Sequence, residues 1–304
     1  MFRNEKYEDD KIKSTDLFIT CLGSEERSFF IYGKVQNMLN TDQILIFQDM
    51  GECLFSDIAS CDVIPQMVRQ DEAKEVHNII IARIKNIISE KKSVQIDIDY
   101  SAMPSEWYCK LPELLDGILR EGDRLSFWYA EGEYAEGPDQ FETIGIESTK
   151  FYSGKPSFET SRERTHLIGV GYDSTRTQGI LSILDPESFM TCEAYDPDRK
   201  EIHENVAAAN SSVLEQTALH LTLFITDIEF MIAKLKGVIN EFYYIENNDV
   251  ILVPDGPKPL IFVMSMMPWI MKKQGITCLH IQGNRRTNRN VRAEGTIIGF
   301  TIEK

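Results

Sequence analysis

Short apolar runs alternate along this chain with longer segments of helical spacing. The runs Leu17–Leu22 and His166–Val170 are typical of strands, and each is followed by a turn that holds glycine, an acid, serine and arginine. Apolar residues then recur three and four positions apart from Asp71 to Ser89 and from Ile228 to Phe242, which predicts two amphipathic helices. Alternation of strands with helices predicts parallel sheets that are covered by helices on both faces.

The two halves of the chain repeat this order of elements. Offsets between matched strands are 149, 156 and 152 residues, taken from Phe18 to Leu167, from Val94 to Val250 and from Arg124 to Ile276. We therefore predict an α/β fold of two tandem Rossmann-like domains, each a doubly wound parallel sheet, related by internal duplication. The predicted domains are residues 1–150 and 151–304, with a linker over 148–164 and a late strand in each half, at 143–146 and 296–302.

Charge is distributed unevenly between the halves. The formal net charge is −16, from 32 basic and 48 acidic residues; residues 1–150 hold 16 basic and 29 acidic side chains, a net of −13. This acidic field disfavours general nucleic-acid binding. Residues 271–304 differ, with seven basic and two acidic side chains. A local anion site is therefore compatible with the overall charge.

The amino-terminal segment and the cysteines bear on location and cofactors. The charged first residues do not form a signal peptide, and no apolar window is long enough to span a membrane, so we predict a cytoplasmic protein with no membrane contact. The six cysteines are scattered without a Cys-x-x-Cys pair, and the histidines lack metal spacing, so we predict buried thiols and no metal. Neither a P-loop nor a complete Gly-x-Gly-x-x-Gly motif is present, and we predict no cofactor.

In the second half, the loops after the first and fourth strands are candidate ligand-binding segments, because such sheets bind ligands at a change of strand order. Small residues there allow close approach, and an arginine and a lysine could hold a phosphate or carboxylate. The predicted ligand-binding residues are Gly171, Asp173, Ser174, Arg176, Asp255, Gly256 and Lys258. The alternative is an ordinary helix entry with solvated charges.

A basic run follows the fifth predicted strand. Four arginines and three asparagines fall within nine residues, 284–292. We predict that Arg285, Arg286 and Arg289 bind phosphates. Contact with the acidic first half, contact with a protein partner and a solvated loop are the alternatives.

The first half offers its own candidates at the matching loops. Ser24, Arg27 and Ser101 are predicted ligand-binding residues. Asp97 and Asp99, at a strand end, could act as nucleophile or metal ligand, and Glu131, in an acidic loop over 129–137, as general acid or base. The alternatives are a helix cap for the aspartates and a solvated loop for the glutamate.

Three short segments carry a resemblance to known proteins: Phe18–Arg27, Ile96–Ser101 and Val253–Pro259. They resemble segments of uncharacterised tandem Rossmann-like proteins that occur with prokaryotic antiviral or mobile-element genes. The layout is also similar to the ligand-sensing domains of CRISPR accessory proteins, which bind cyclic oligonucleotides at the loops after the first and fourth strands. The resemblance implies a role in antiviral defence, although the chain has no recognisable nuclease segment.

Three functions are compatible with these patterns. The first is a cytoplasmic module that binds or senses a nucleotide or another phosphate-bearing small molecule within a defence assembly. The second is a hydrolase that processes nucleosides or nucleotides. The third is a non-catalytic subunit of a multiprotein complex. A protein partner or a homo-oligomer is expected as well.

Overall fold

The computed structural model describes residues 1–23, 25–39, 44–49, 66–69, 72–134, 143–157, 161–285 and 291–304. The chain divides into two compact units: unit 1 contains Met1–Ala135 and Asn288–Lys304, and unit 2 contains Glu136–Thr287. In the described ranges, no helix combines the length and the apolar character needed to cross a membrane.

Unit 1 is built on one sheet. Its described strands, numbered along the chain, are β1 (Phe2–Lys6), β2 (Leu17–Leu22), β3 (Ile44–Asp49), β4 (Gln66–Val68), β5 (Gln95–Asp99), β6 (Arg124–Tyr134) and β13 (Val291–Glu303). Its described helices are α1 (Asp9–Lys13), α2 (Phe30–Val35), α3 (Ala73–Glu90), α4 (Ser105–Tyr108) and α5 (Leu111–Asp116). The strand order is β1-β13-β6-β5-β2-β3-β4; the strands from β6 to β4 are parallel, and β13 and β1 continue the sheet antiparallel.

Unit 2 has a second sheet. Its described strands are β7 (Thr143–Gly154), β8 (Arg164–Gly169), β9 (Phe189–Tyr195), β10 (His220–Phe224), β11 (Asp249–Val253) and β12 (Ile276–Arg285). Its described helices are α6 (Ser174–Leu184), α7 (Lys200–Ala209), α8 (Ser211–Leu214), α9 (Ile228–Asn240) and α10 (Lys258–Met271). The strand order is β10-β9-β8-β11-β12-β7, with β7 antiparallel to β12 and the other pairs parallel.

The two sheets share one order of parallel strands. Counted along each unit, the parallel strands are arranged 3-2-1-4-5, and an antiparallel strand follows the fifth. The change of direction therefore lies between β2 and β5 in unit 1 and between β8 and β11 in unit 2. The predicted α/β architecture of two parallel-dominated sheets flanked by helices is confirmed, and the internal duplication stays a prediction.

The late strands differ from the prediction. β7, which was expected to complete the first half, pairs with β12 of unit 2; β13, which was expected to complete the second, pairs with β6 of unit 1. Residues 148–154 are thus part of a strand and not a linker, and the predicted boundary at residue 150 falls inside β7. An alternating strand fits the open edge of either sheet, so its own sequence does not determine its partner.

Local patterns explain most of the helices. α3 buries Val76, Ile80 and Ile84 on one face, as predicted, and the methionine-rich α10 is core. Between β5 and β6 the chain forms two short helices, α4 and α5, and not one long helix. Pro112 lies in the first turn of α5, where its missing N–H costs no internal hydrogen bond, whereas in the middle of one long helix it would remove one.

Candidate functional site

The loops that follow β8 and β11 in unit 2 pack directly on each other. A methyl group on Gly171 would lie 2.9 Å from the Cα of Gly256, and one on Gly169 would lie 2.6 Å from the backbone N of Asp255. These glycines are required because two backbones approach closely. Their presence is explained by this packing, without a ligand.

Arg176, the predicted phosphate clamp, lies in a buried ion pair. Its Nε donates to Asp255 Oδ1 over 3.0 Å, with side chains 4% and 6% exposed, and its Nη2 donates to the carbonyl of Ile281 in β12. Asp173 caps α6: its Oδ1 accepts from the backbone N of Arg176 (2.9 Å) and its Oδ2 from Thr143 Oγ1 (2.6 Å). The structure thus brings Asp173, Arg176 and Asp255 together, but the Arg176 guanidinium is already paired with the Asp255 carboxylate.

Two further predicted residues lie at helix starts, whereas the arginines of the basic run do not. Ser174 is the first residue of α6 and is half-buried, and Lys258 is the first residue of α10, also half-buried. Arg285 ends β12, whereas Arg286 and Arg289 lie outside the described residues. Phosphate binding by the basic run therefore stays a prediction.

Arg27 of unit 1 has a similar internal setting. It is buried; its Nε donates to Glu25 Oε2 (2.6 Å) and its Nη1 donates to the Tyr129 hydroxyl (2.9 Å) in β6. Ser24, predicted beside it, lies outside the described residues. Like Arg176, Arg27 follows the first parallel strand of its unit, pairs with a carboxylate and reaches the fifth parallel strand.

A glycine on the fifth strand accompanies each arginine. A methyl group on Gly132 in β6 would lie 2.9 Å from Arg27 Nη1, and one on Gly283 in β12 would lie 2.7 Å from Arg176 Nη1. The same contact in both units is consistent with the predicted duplication. It gives both arginines a role in joining the first loop to the fifth strand.

Asp99 and Ser101 connect three strands of unit 1. Asp99 Oδ1 accepts from the backbone N (3.0 Å) and hydroxyl (2.5 Å) of Ser101, and its Oδ2 accepts from Thr20 Oγ1 in β2 (3.2 Å). The Ser101 hydroxyl in turn accepts from the backbone N of Ala130 in β6 (2.8 Å). Both side chains are buried, and these bonds hold the turn after β5 in place.

The structure does not bring Asp97 and Glu131 into one cleft. Asp97 is fully buried and accepts from Trp128 Nε1 (2.7 Å) and Gln95 Nε2 (3.0 Å), and burial raises the pKa of its carboxyl. Trp128 and Ala130 pack in one core cluster, so strand alternation places Glu131 on the opposite face of β6. Glu131 is also buried within the strand and not in a loop, contrary to the prediction.

Asp97→Asn is expected to change how stability depends on pH. The folded-state pKa of Asp97 is raised above its usual value of 3.8, so the folded protein loses stability as pH rises from about 3.8 through that raised pKa. The variant lacks this ionisation, so its free energy of unfolding should increase relative to that of the wild type as pH rises through this range. Urea titrations at pH 3.5 to 7 measure the difference; a constant difference, like that of the exposed control Glu133→Gln, would contradict the expectation.

Glu193 forms a cluster that the sequence patterns did not predict. Cys192 pairs with Gly169, the last residue of β8, so Glu193 lies just beyond that strand's carboxyl end. Its side chain is 1% exposed; Oε1 lies 2.6 Å from His203 Nδ1 on α7 and 3.1 Å from His220 Nε2 on β10. Oε2 accepts no hydrogen bond from any described residue.

The histidine on β10 is held by a neighbouring hydroxyl. Thr191 Oγ1 lies 2.8 Å from His220 Nδ1, and Nε2 on the other side of that ring lies 3.1 Å from Glu193 Oε1. One sequence signal could have identified the cluster: Glu193 follows Gly171 by 22 residues and comes near the end of the second parallel strand. In dinucleotide-binding sheets an acid about 20 residues after the glycine turn binds the ribose.

A second buried acceptor lies beside the first loop. Asn210, between α7 and α8, is fully buried and its Nδ2 donates to the carbonyls of Gly171 (2.8 Å) and Val206 (2.9 Å). Within the described part of the chain, its Oδ1 has no donor. Buried acceptors without a donor are rare and require an explanation, such as water or a bound ligand.

Aromatic rings end the two outer parallel strands. Tyr195 and Phe224, the last residues of β9 and β10, have ring centroids 6.0 Å apart, and Phe230 of α9 lies 5.0 Å behind Phe224. The His203 ring meets Tyr195 edge-on at 5.3 Å. A buried carboxylate and two imidazoles therefore lie along β9 and β10, with His220 at the first residue of β10, and the last residues of the two strands add aromatic faces.

In the ranges that the structure describes, no group of three His, Cys, Asp or Glu side chains is placed to hold a metal ion. A comparison with models of known protein families finds no match, and neither does a comparison with curated proteins.

Proposed function

We propose that unit 2 binds a nucleotide at the carboxyl edge of its sheet, that is, at the carboxyl ends of its parallel strands. Glu193 would accept a hydrogen bond from a ribose hydroxyl. One observation carries this proposal: Oε2 of a buried carboxylate lacks a donor among the described residues, two residues before the end of the second strand of a doubly wound sheet.

One oxygen of the Glu193 carboxylate, Oε2, lacks a hydrogen-bond donor among the described residues. A buried charged oxygen without a hydrogen bond is unfavourable, because it has lost water and gained nothing. Imidazole nitrogens of His203 and His220 lie beside Oε1 only. A hydroxyl donor at Oε2 would complete the site, and Asn210, which donates to the Gly171 carbonyl in the loop after β8, offers Oδ1 as a second acceptor. A vicinal diol, such as that of ribose, supplies two donors.

The phosphate end would lie across the change of strand order, at the start of α10. This helix spans Lys258–Met271, and its amino terminus carries partial positive charge beside the Lys258 ammonium. The loop before it packs on Gly171 of the first loop. Arg176, which is already paired with Asp255, is not needed for this role.

Glu193→Gln is expected to weaken nucleotide binding at least about tenfold, the effect of one hydrogen bond to a charged group. Isothermal titration calorimetry with AMP, GMP, CMP and UMP, at low salt, measures the affinities. Glu201→Gln is the matched control, because it makes the same change at an exposed position of α7. The proposal fails if the wild type binds none of these nucleotides or if both variants behave alike.

The other two predicted functions have less support. A hydrolase that uses Asp97 and Glu131 lacks a common cleft for them, and no described observation identifies a partner-binding surface. A role in prokaryotic antiviral defence stays a prediction from the sequence resemblance.

A further inference from the structure

We infer that Tyr195 and Phe224 bind the base of the nucleotide, so the ligand class is an aromatic nucleoside phosphate. This inference rests on the proposed function of unit 2 and assigns a part of the ligand that Glu193 does not contact.

Phe224 is exposed where a base could stack, and Tyr195 beside it is half-buried. Phe224 is 39% exposed at the end of β10, and it is the register partner of Tyr195. Phe230 packs behind it at 5.0 Å with an interplanar angle of 43°. An apolar ring that a neighbour supports and that is still partly exposed is suited to stacking, because every base offers a π-face.

The aromatic pair is connected to Glu193 through one side chain. His203 places Nδ1 2.6 Å from Glu193 Oε1 and its ring 5.3 Å from Tyr195. In a nucleoside the base is attached to C1′, next to the carbon that carries the 2′-hydroxyl. A ribose held at Glu193 therefore carries its base within reach of residues beside Glu193, and the rings of Tyr195 and Phe224 are such residues.

Stacking area determines the expected preference. A purine offers a larger face than a pyrimidine, so AMP and GMP should bind more tightly than CMP and UMP. The polar edges of the base are not assigned, since stacking tolerates any base.

A comparison of AMP with ribose 5-phosphate, which lacks the base, tests the inference. Phe224→Ala should weaken AMP binding about tenfold and leave ribose 5-phosphate binding unchanged. Phe224→Tyr keeps the ring and should retain AMP affinity. Phe151→Ala, which removes a ring that is 57% exposed on β7, is the control and should have no effect. Circular dichroism melts establish that each variant is folded.

The outcomes separate the two proposals. If the wild type binds AMP and ribose 5-phosphate equally, or if Phe224→Ala weakens both alike, the aromatic rings do not bind the base and the inference is overturned, while the ribose site stands. If Phe224→Tyr loses as much as Phe224→Ala, stacking is also excluded. If the wild type binds neither compound, the proposed function itself fails, and this inference with it.

Discussion

Arg176→Met is expected to lower the free energy of unfolding of unit 2 by about 3–5 kcal/mol. The substitution removes the guanidinium that pairs with Asp255 Oδ1 at 3.0 Å and leaves that carboxylate buried, at 6% exposure. It also removes the donor to the Ile281 carbonyl, which joins the loop after β8 to β12. Urea denaturation of the variant and the wild type measures the loss.

Two comparisons make this result specific. Replacing both partners, Arg176→Met with Asp255→Leu, should recover much of the stability, because no unpaired charge stays buried. Arg292→Met breaks a surface ion pair with Glu26. The side chains of Arg292 and Glu26 are 65% and 42% exposed, so the loss of stability should be about 1 kcal/mol or less. If Arg176→Met costs no more than Arg292→Met, Arg176 is available to a ligand after all, as the sequence suggested.

Removal of residues 288–304 is expected to unfold unit 1 and to leave unit 2 folded. The deletion takes away β13, which lies between β1 and β6 in the sheet. It also removes Phe300, whose ring stacks on Phe127 at 5.2 Å, and the buried Ile298 and Ile302. Loss of one large buried side chain costs about 2–5 kcal/mol of stability. Loss of these three side chains together is therefore comparable to the whole free energy of unfolding of a typical domain, about 5–15 kcal/mol.

Hydrogen exchange read by mass spectrometry follows both units in the truncated chain. Amides of β2 and β5 should lose protection, whereas those of β8 and β11 should keep it. As a control, a fragment of residues 136–287 should fold, since it contains all strands of the second sheet. Independent folding of fragments 1–150 and 151–304 would contradict the observed exchange of late strands and restore the division predicted from sequence.

Local signals determined much of the fold. The helix predicted from Ile228 is α9, and Asp227 just before it caps the helix, since its Oδ1 accepts from the backbone N of Phe230. Runs of apolar residues bounded by turns likewise predicted parallel strands. Both predictions work because the signal lies within the segment itself. The partners of β7 and β13 could not be read in this way, because pairing depends on distant segments.

The candidate site was predicted less well, since its contacts are non-local. Arg176 and Lys258 were selected as cations near strand ends, but nothing within the first loop indicates that Asp255, 79 residues away, neutralises Arg176. Glu193, His203 and His220 come from a strand, a helix and another strand, with spacings that match no motif. Only the position of Glu193 relative to Gly171 carried a usable signal.

The central claim is that Glu193 binds a ribose hydroxyl, and the most direct measurement compares AMP with 2′-deoxyadenosine monophosphate on the wild type and on Glu193→Gln. Isothermal titration calorimetry gives the four affinities. We predict that the wild type prefers AMP about tenfold and that Glu193→Gln loses this preference. Equal affinities in the wild type, or a preference that survives in the variant, would contradict the account.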